Sequence, residues 1–345
     1  MINKQHPLYN EDLDYVLNSM EVALFKDKSF LITGSTGLLG VFMIDVLMRA
    51  NKKNLNISVY AVGRNRKKAE ERLGDHFNDE HFHFIEQDVR QPLPSLLRVD
   101  YVIPLASNTH PLAYSQYPIE TIDINIKGAE YALLKAVECG ATILYPSSVE
   151  IYGNARGEDV FYEDYTGNLN LSTSRSCYTE SKRVSEAMCQ SFKEEKNVVV
   201  KIVRLSRVFG PTMLLSDSKA SSQFIIKALN NENIVLKSKG EQFFSYTYVA
   251  DAVCAMFHVL LHGINGFAYN ISSCKCNIHL KDFAEECAKW SGKNVIFDLP
   301  TKTELMGFSV ATKAILDNSK LKEIGWKEKY DIKTAIIRTL DILRK

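Results

Sequence analysis

The sequence predicts an α/β fold, a doubly wound parallel sheet with helices on both faces, and three observations lead to that expectation. Short apolar runs of the kind that form fully buried strands recur at residues 30–33, 58–62, 83–85, 101–104, 142–145 and 198–203. Most of them are separated by helix-like stretches, and that alternation favours parallel sheets wound with helices. The first run leads directly into glycines at 34, 37 and 40 and then into a helical run over 41–50, the strand, turn and helix order that opens many such folds.

In chain order, residues 10–25 come first, with Leu13, Val16, Leu17, Met20 and Leu24 along one side of a helix. This leader, residues 1–27, is expected to pack on the sheet edge or against a partner subunit. The segment Phe30-Leu-Ile-Thr-Gly34-Ser35-Thr36-Gly37-Leu38-Leu39-Gly40 then meets the needs of a dinucleotide. Its glycines let the backbone turn tightly and approach a pyrophosphate, and the following helix N-terminus offers unpaired N–H groups and a positive dipole end. The second strand runs out at Gly63-Arg64, where an NAD-specific site has an acid for the ribose 2′-hydroxyl. An arginine there leans to NADP, or stacks on adenine with NAD bound. Beyond Gly210 the pattern becomes irregular, without an internal repeat or a low-complexity linker.

The 345 residues are 46% hydrophobic and 24% charged, ordinary for a globular chain of about two domains. Basic and acidic residues balance at 42 against 41, so nothing suggests a nucleic-acid footprint. The N-terminus lacks an apolar signal core and no apolar run approaches the ~18 residues of a membrane span, which makes a cytoplasmic, membrane-free protein the expectation. Seven cysteines, an odd number, fit reduced thiols better than a disulfide framework. Cys274, Cys276 and His279 lack the second ligand pair of zinc modules, and no metal is expected there.

Candidate chemistry centres on Tyr178-Thr-Glu-Ser-Lys182. On a helix, residues four apart share a face, and a fixed ammonium beside a phenol favours the phenolate, bringing it toward use as a base. Ser147 and Ser148 lie just past the strand over 142–145, the end of a parallel sheet where active sites form.

These motifs and others in the same order make the chain resemble the extended short-chain dehydrogenase/reductase family, the group of NAD-dependent nucleotide-sugar epimerases, dehydratases and decarboxylases. The landmarks are the glycine turn, Asp88-Val89, Leu105-Ala106-Ser107, Asn125-Ile-Lys-Gly128, Pro146-Ser-Ser-Val-Glu-Ile-Tyr-Gly153, Tyr178 to Lys182, Arg204-Leu-Ser-Arg207-Val-Phe-Gly-Pro211, Tyr248-Val-Ala-Asp251, and Asp317-Asn-Ser-Lys-Leu321 with Gly325-Trp326. The resemblance implies a Rossmann-type domain over 28–209, with segments returning near 243–272, and a smaller, interleaved substrate-binding lobe mainly from 210–345. It implies NAD held by residues 34–40, Arg64, Asp88, Val89, Leu105, Ala106, Ser107, Asn125, Ser147, Tyr178 and Lys182. Ser148 would hydrogen-bond the sugar's reacting oxygen, Tyr178 would take its proton, and Lys182 would hold the cofactor ribose. Asn108, Arg207 and Phe244 join the implied substrate contacts. A homodimer, formed through helices over 122–138 and 178–193, is also implied.

Within that family, oxidation of a ring hydroxyl to a ketone is the shared first step, and neighbouring groups decide the fate of the keto sugar. Glu150 stands where the dehydratases and uronate decarboxylases have glutamate, whereas the aspartate that dehydratases place just before it is Val149 here. The region around Tyr178 looks closest to the UDP-glucuronate decarboxylases. Two departures accompany this. Phe244 occupies a position where those enzymes have arginine, and Arg207 one where the family commonly has asparagine. Arg207 is expected either to bind the diphosphate or an acidic sugar substituent, or to pair with a structural carboxylate. The leading reading is a UDP-uronate decarboxylase-like enzyme; a nucleotide-sugar 4-epimerase, an NADP-dependent reductase and a non-catalytic dinucleotide-binding sensor remain open.

Overall fold

The computed structural model describes residues 2–95, 97–109, 111–153, 160–298 and 313–344. Its main sheet contains β1 (Ser29–Thr33), β2 (Ser58–Gly63), β3 (Phe82–Glu86), β4 (Tyr101–Pro104), β5 (Thr142–Ser148), β7 (Val200–Leu205) and β11 (Ala268–Ile271), in the order β11-β7-β5-β4-β1-β2-β3. Every pairing in it is parallel. Phe30, Leu31, Ile32, Val102, Ile103, Ile143 and Leu144 are fully buried, as expected for strands covered on both faces. The strand order reverses between β1 and β4, and such a switch point opens a crevice at the carboxyl ends of the strands.

Helices α2 (Leu38–Ala50), α3 (Arg66–Leu73), α4 (Pro111–Gln116), α5 (Pro118–Cys139), α6 (Ser176–Lys196) and α8 (Val249–His262) connect or cover these strands. A second sheet joins β6 (Val160–Phe161), β8 (Arg207–Phe209), β10 (Phe243–Tyr248), β12 (Asn277–His279) and β14 (Lys313–Leu316), with β8 beside β10. Strands β9 (Ile234–Leu236) and β13 (Val295–Phe297) pair separately, and α7 (Ala220–Leu229), α9 (Leu280–Ser291), α10 (Ser319–Glu323) and α11 (Ile332–Leu343) complete the described elements.

Three expectations need adjustment. The strand expected over 142–145 continues through Ser147 and Ser148, which pair with Arg204 and Leu205 of β7. The strand expected from 198 begins at Val200, and β11 adds a seventh strand that a four-residue run with a polar Asn270 did not announce. The leader is not one helix: α1 (Pro7–Asn18) stops where the Ser19 hydroxyl bonds back to the Tyr15 carbonyl at 2.7 Å, and a single 3-10 turn, Val22–Phe25, comes next. Leu24, assigned to the apolar side, is 52% exposed because of that break.

The leader lies across α2 and α8 rather than on the sheet edge, and polar groups fix it there. Asp12, fully buried, accepts hydrogen bonds from the Tyr248 hydroxyl at 2.5 Å, the Tyr330 hydroxyl at 2.7 Å and the Arg338 guanidinium at 2.7 Å. Asp251 accepts from the Tyr15 hydroxyl at 2.7 Å and from the backbone N–H groups of Lys329 and Tyr330; burial raises its carboxyl to about 6. Thus Tyr248 of β10 and Asp251 of α8 both bond to α1, Asp251 also holds the segment just before α11, and Asp12 links α1 to Arg338 of α11, as expected for buried polar groups that must find partners.

Candidate active site

The strand that runs longer than expected delivers Ser148 to the sheet's carboxyl edge. Its hydroxyl oxygen accepts from the Glu150 N–H at 3.2 Å, capping the 3-10 turn Val149–Tyr152 that carries Glu150. Tyr178 enters from the first turns of α6, and the Ser148 side chain is close enough to favour ionisation of its phenol. Tyr114 stacks on the Tyr178 ring at 5.0 Å. Burial raises the Tyr178 phenol to about 12; the neighbouring Ser148 hydroxyl lowers it and the Glu150 charge adds to the rise.

Lys182 shares the buried face of α6 with Tyr178, but its ammonium donates to the Pro146 carbonyl at 2.8 Å and sits over the Tyr145 ring. The expected lowering of the phenol by this lysine is therefore absent. Both groups are buried, and desolvation, which disfavours the charged form of each, prevails: the ammonium is lowered to about 8, against the pull of Glu186.

That cost makes a stability prediction. Between about 8 and the ~10.4 of an unfolded lysine, the unfolded chain holds a proton that the folded chain has released, so stability rises with pH. Below that window the folded protein bears the full cost of a buried ammonium. Lys182→Met is accordingly expected to raise the melting temperature near neutral pH, with the gain shrinking as pH approaches ~10. Calorimetry of both proteins across that range checks it; a Met variant that melts lower at neutral pH would mean that the bond to Pro146 outweighs the burial.

The glycine turn fits a dinucleotide. At Gly34, with φ of +65°, a Cβ would come within 2.6 Å of the Ala106 nitrogen, and one on Gly40 would come within 2.5 Å of the Gly34 carbonyl oxygen. Gly37 caps α2 without a side chain over its N–H groups, leaving them for an anion. Leu38 and Leu39 begin that helix, whereas the Ser35 hydroxyl turns inward to the Val62 carbonyl. Thr36 lies half-buried between them. Across the crevice, Ala106 donates its N–H to Thr33 beside Leu105, and Ser107 donates to Asn125, which in turn donates to Ser181 of α6. The Ser147 hydroxyl is buried without a partner among the described residues, a polar atom of the kind that a bound group satisfies.

At the expected adenine end, Val89 is buried under Gly128, while Asp88 is held by Arg90 through two guanidinium nitrogens. Those bonds keep its carboxyl below the usual range. Arg64 pairs with Glu120 at 2.9 Å and so has a protein carboxylate for partner.

Arg207, Phe244 and Glu150 come together. Arg207 on β8 faces β10 in register with Tyr246, and its guanidinium carbon lies 3.6 Å from the centre of the Phe244 ring. One nitrogen is 3.6 Å from the Glu150 carboxylate. Phe244, expected among the substrate contacts, is only 6% exposed and serves as the floor under this cation. Asn108 donates to the Thr121 hydroxyl at 3.2 Å and is thus tied to α5. Sequence reasoning missed two neighbours. Tyr114 gave no signal, being remote from every motif; Arg183, adjacent to Lys182, fastens the Glu150 turn by donating to the Ile151 carbonyl at 2.8 Å. Cys274 donates to Glu328 and His279 contacts the Glu241 carbonyl, so these groups have separate protein partners.

A parallel sheet with an open glycine turn, and a Ser, Tyr and Lys grouped at its carboxyl edge, define a dinucleotide-dependent class of protein. Residues 30–272 match the model of the NAD dependent epimerase/dehydratase family, and the chain belongs to that family, whose cofactor is NAD. It is 34% identical over 226 residues to UDP-glucuronic acid decarboxylase 1 of Xenopus tropicalis, covering 66% of this chain and 52% of that protein. It is 29% identical over 307 residues to UDP-glucuronic acid decarboxylase 4 of Arabidopsis thaliana, covering 89% and 66%. The chain therefore spans between about half and two thirds of the length of these curated relatives. A solved UDP-glucose 4-epimerase from Thermotoga maritima shares the fold with a TM-score of 0.79 at 22% identity, covering 91% of this chain and 98% of that one. No described helix is long and apolar enough to cross a membrane.

Proposed function

We propose that this protein decarboxylates a UDP-uronate through a transient keto sugar. The observation that supports this most is the convergence of Ser148, Tyr178 and Glu150 at one buried phenol, in a chain whose relatives include UDP-glucuronic acid decarboxylases. The glycine turn at Gly34, Gly37 and Gly40 would hold NAD, which would supply a reversible acceptor for the hydride of the sugar's ring carbon. Ser148 orients the reacting hydroxyl, and Tyr178 takes and gives back its proton. Lys182, whose ammonium is held at the Pro146 carbonyl next to Ser147, is suited to the cofactor ribose. A ketone two bonds from a carboxylate labilises it, because the electron pair of the breaking C–C bond passes into the carbonyl as carbon dioxide leaves. The carbon left behind takes a proton, and Glu150 is the carboxyl positioned to manage that transfer.

In the division of labour we propose, residues 28–209, with segments from 243–272, hold the cofactor and most of 210–345 meets the sugar. We further propose a cytoplasmic homodimer. Helices α5 and α6 lie against one another and leave Ile122, Leu134, Val137 and Val184 exposed, an apolar surface suited to a second copy. Light scattering that gave the mass of one chain would remove the dimer. For the activity, mass analysis of the product from UDP-glucuronate is the test: a nucleotide sugar lighter by one carbon dioxide is expected, and an isomer of unchanged mass would refute decarboxylation.

A further inference from the structure

Resting on that reading, we propose that Arg207 is the residue that recognises the sugar's carboxylate, receiving it by exchange with Glu150. Three observations combine. The guanidinium carbon is held over the Phe244 ring, 3.6 Å from its centre, so the fork is placed before any ligand arrives. Its pairing with Glu150 is loose, at 3.6 Å and with the glutamate side chain 38% exposed, and such a pair is easily exchanged. Its other terminal nitrogen is buried and has no partner among the described residues, leaving a donor that a second anion would satisfy.

Position selects the anion. Glu150 sits on the turn capped by Ser148, its N–H donating to the Ser148 hydroxyl at 3.2 Å, and Arg207 is the next group beyond Glu150. Arg207 therefore lies on the side of the carbon whose hydroxyl meets Tyr178. In a uronate the carboxylate is attached to the ring carbon adjacent to that one, whereas the diphosphate leaves the ring from the opposite side. A second carboxylate brought beside Glu150 with no cation between them would be repelled; Arg207 removes that barrier, and its departure from Glu150 frees the glutamate for the proton transfer.

The test is calorimetric binding of UDP-glucuronate, UDP-glucose and UDP to the NAD-loaded protein and its variants. Arg207→Met is expected to weaken UDP-glucuronate by about 10- to 100-fold while changing UDP-glucose and UDP by no more than about 3-fold. Glu150→Gln, which keeps the size but removes the competing charge, is expected to tighten UDP-glucuronate, the opposite sign from that of mere structural damage. Equal weakening of all three ligands by Arg207→Met would assign the guanidinium to the diphosphate and overturn the proposal, as would unchanged binding or a weaker Glu150→Gln. If the carboxylate preference depends on Arg207 but no carbon dioxide is released, the decarboxylase reading fails while the recognition stands.

Discussion

Replacing Tyr178 with Phe is expected to lower turnover of a UDP-uronate by about 100- to 10,000-fold with little change in stability or ligand binding. The ring would still stack on Tyr114, and the lost hydroxyl is a buried polar group whose neighbour Ser148 keeps its own bond to the Glu150 N–H. Only proton transfer at the sugar oxygen is removed, so kcat should fall and KM should change little. Steady-state kinetics together with a melting curve checks this. Retained turnover would mean that another group takes the proton, whereas a parallel loss of stability would mean that the phenol acts as a structural prop.

The second large effect is at the buried contact between the first and last helices. Arg338→Met should destabilise the protein by about 3–5 kcal/mol, because it leaves the Asp12 carboxylate uncompensated where it is fully buried. Burial already raises that carboxyl, with Arg338 the principal opposing charge. Without Arg338 its folded pKa lies still further above the unfolded value, and such a group contributes stability at low pH that is lost as pH rises. The variant should therefore recover part of its deficit on mild acidification. Adding Asp12→Asn should also recover part of it, since the charge left unpaired is then gone. Urea midpoints for the single and double variants supply the numbers; two losses that simply add would show that Asp12 and Arg338 act independently.

Much of the central sheet was legible because its strands are covered on both faces and so are apolar throughout, as in Phe30 to Thr33. The glycine turn was legible for a different reason: at Gly34 and Gly40 the backbone leaves no room for a Cβ. What the sequence hid were contacts between distant segments. Nothing local to Asp12 announces Tyr248, Tyr330 and Arg338 as its partners, and so the leader read as an edge or interface helix. Nor does helical spacing say where a lysine ends. Lys182 lies on the same face as Tyr178, yet the carbonyl of Pro146 takes its ammonium, and burial then sets both pKa values. Phe244 and Arg207 read as two separate departures from a family pattern; strand pairing makes them one arrangement, a cation on an aromatic floor.

The most direct test of the account is to supply UDP-glucuronate deuterated at the ring carbon whose hydroxyl meets Tyr178, and to follow both carbon dioxide and the label. Transient oxidation at that carbon predicts release of carbon dioxide and a UDP-pentose that keeps the deuterium there, since the hydride removed is the hydride returned. Carbon dioxide release with loss of the label to solvent, or an isomer formed without carbon dioxide, would contradict it.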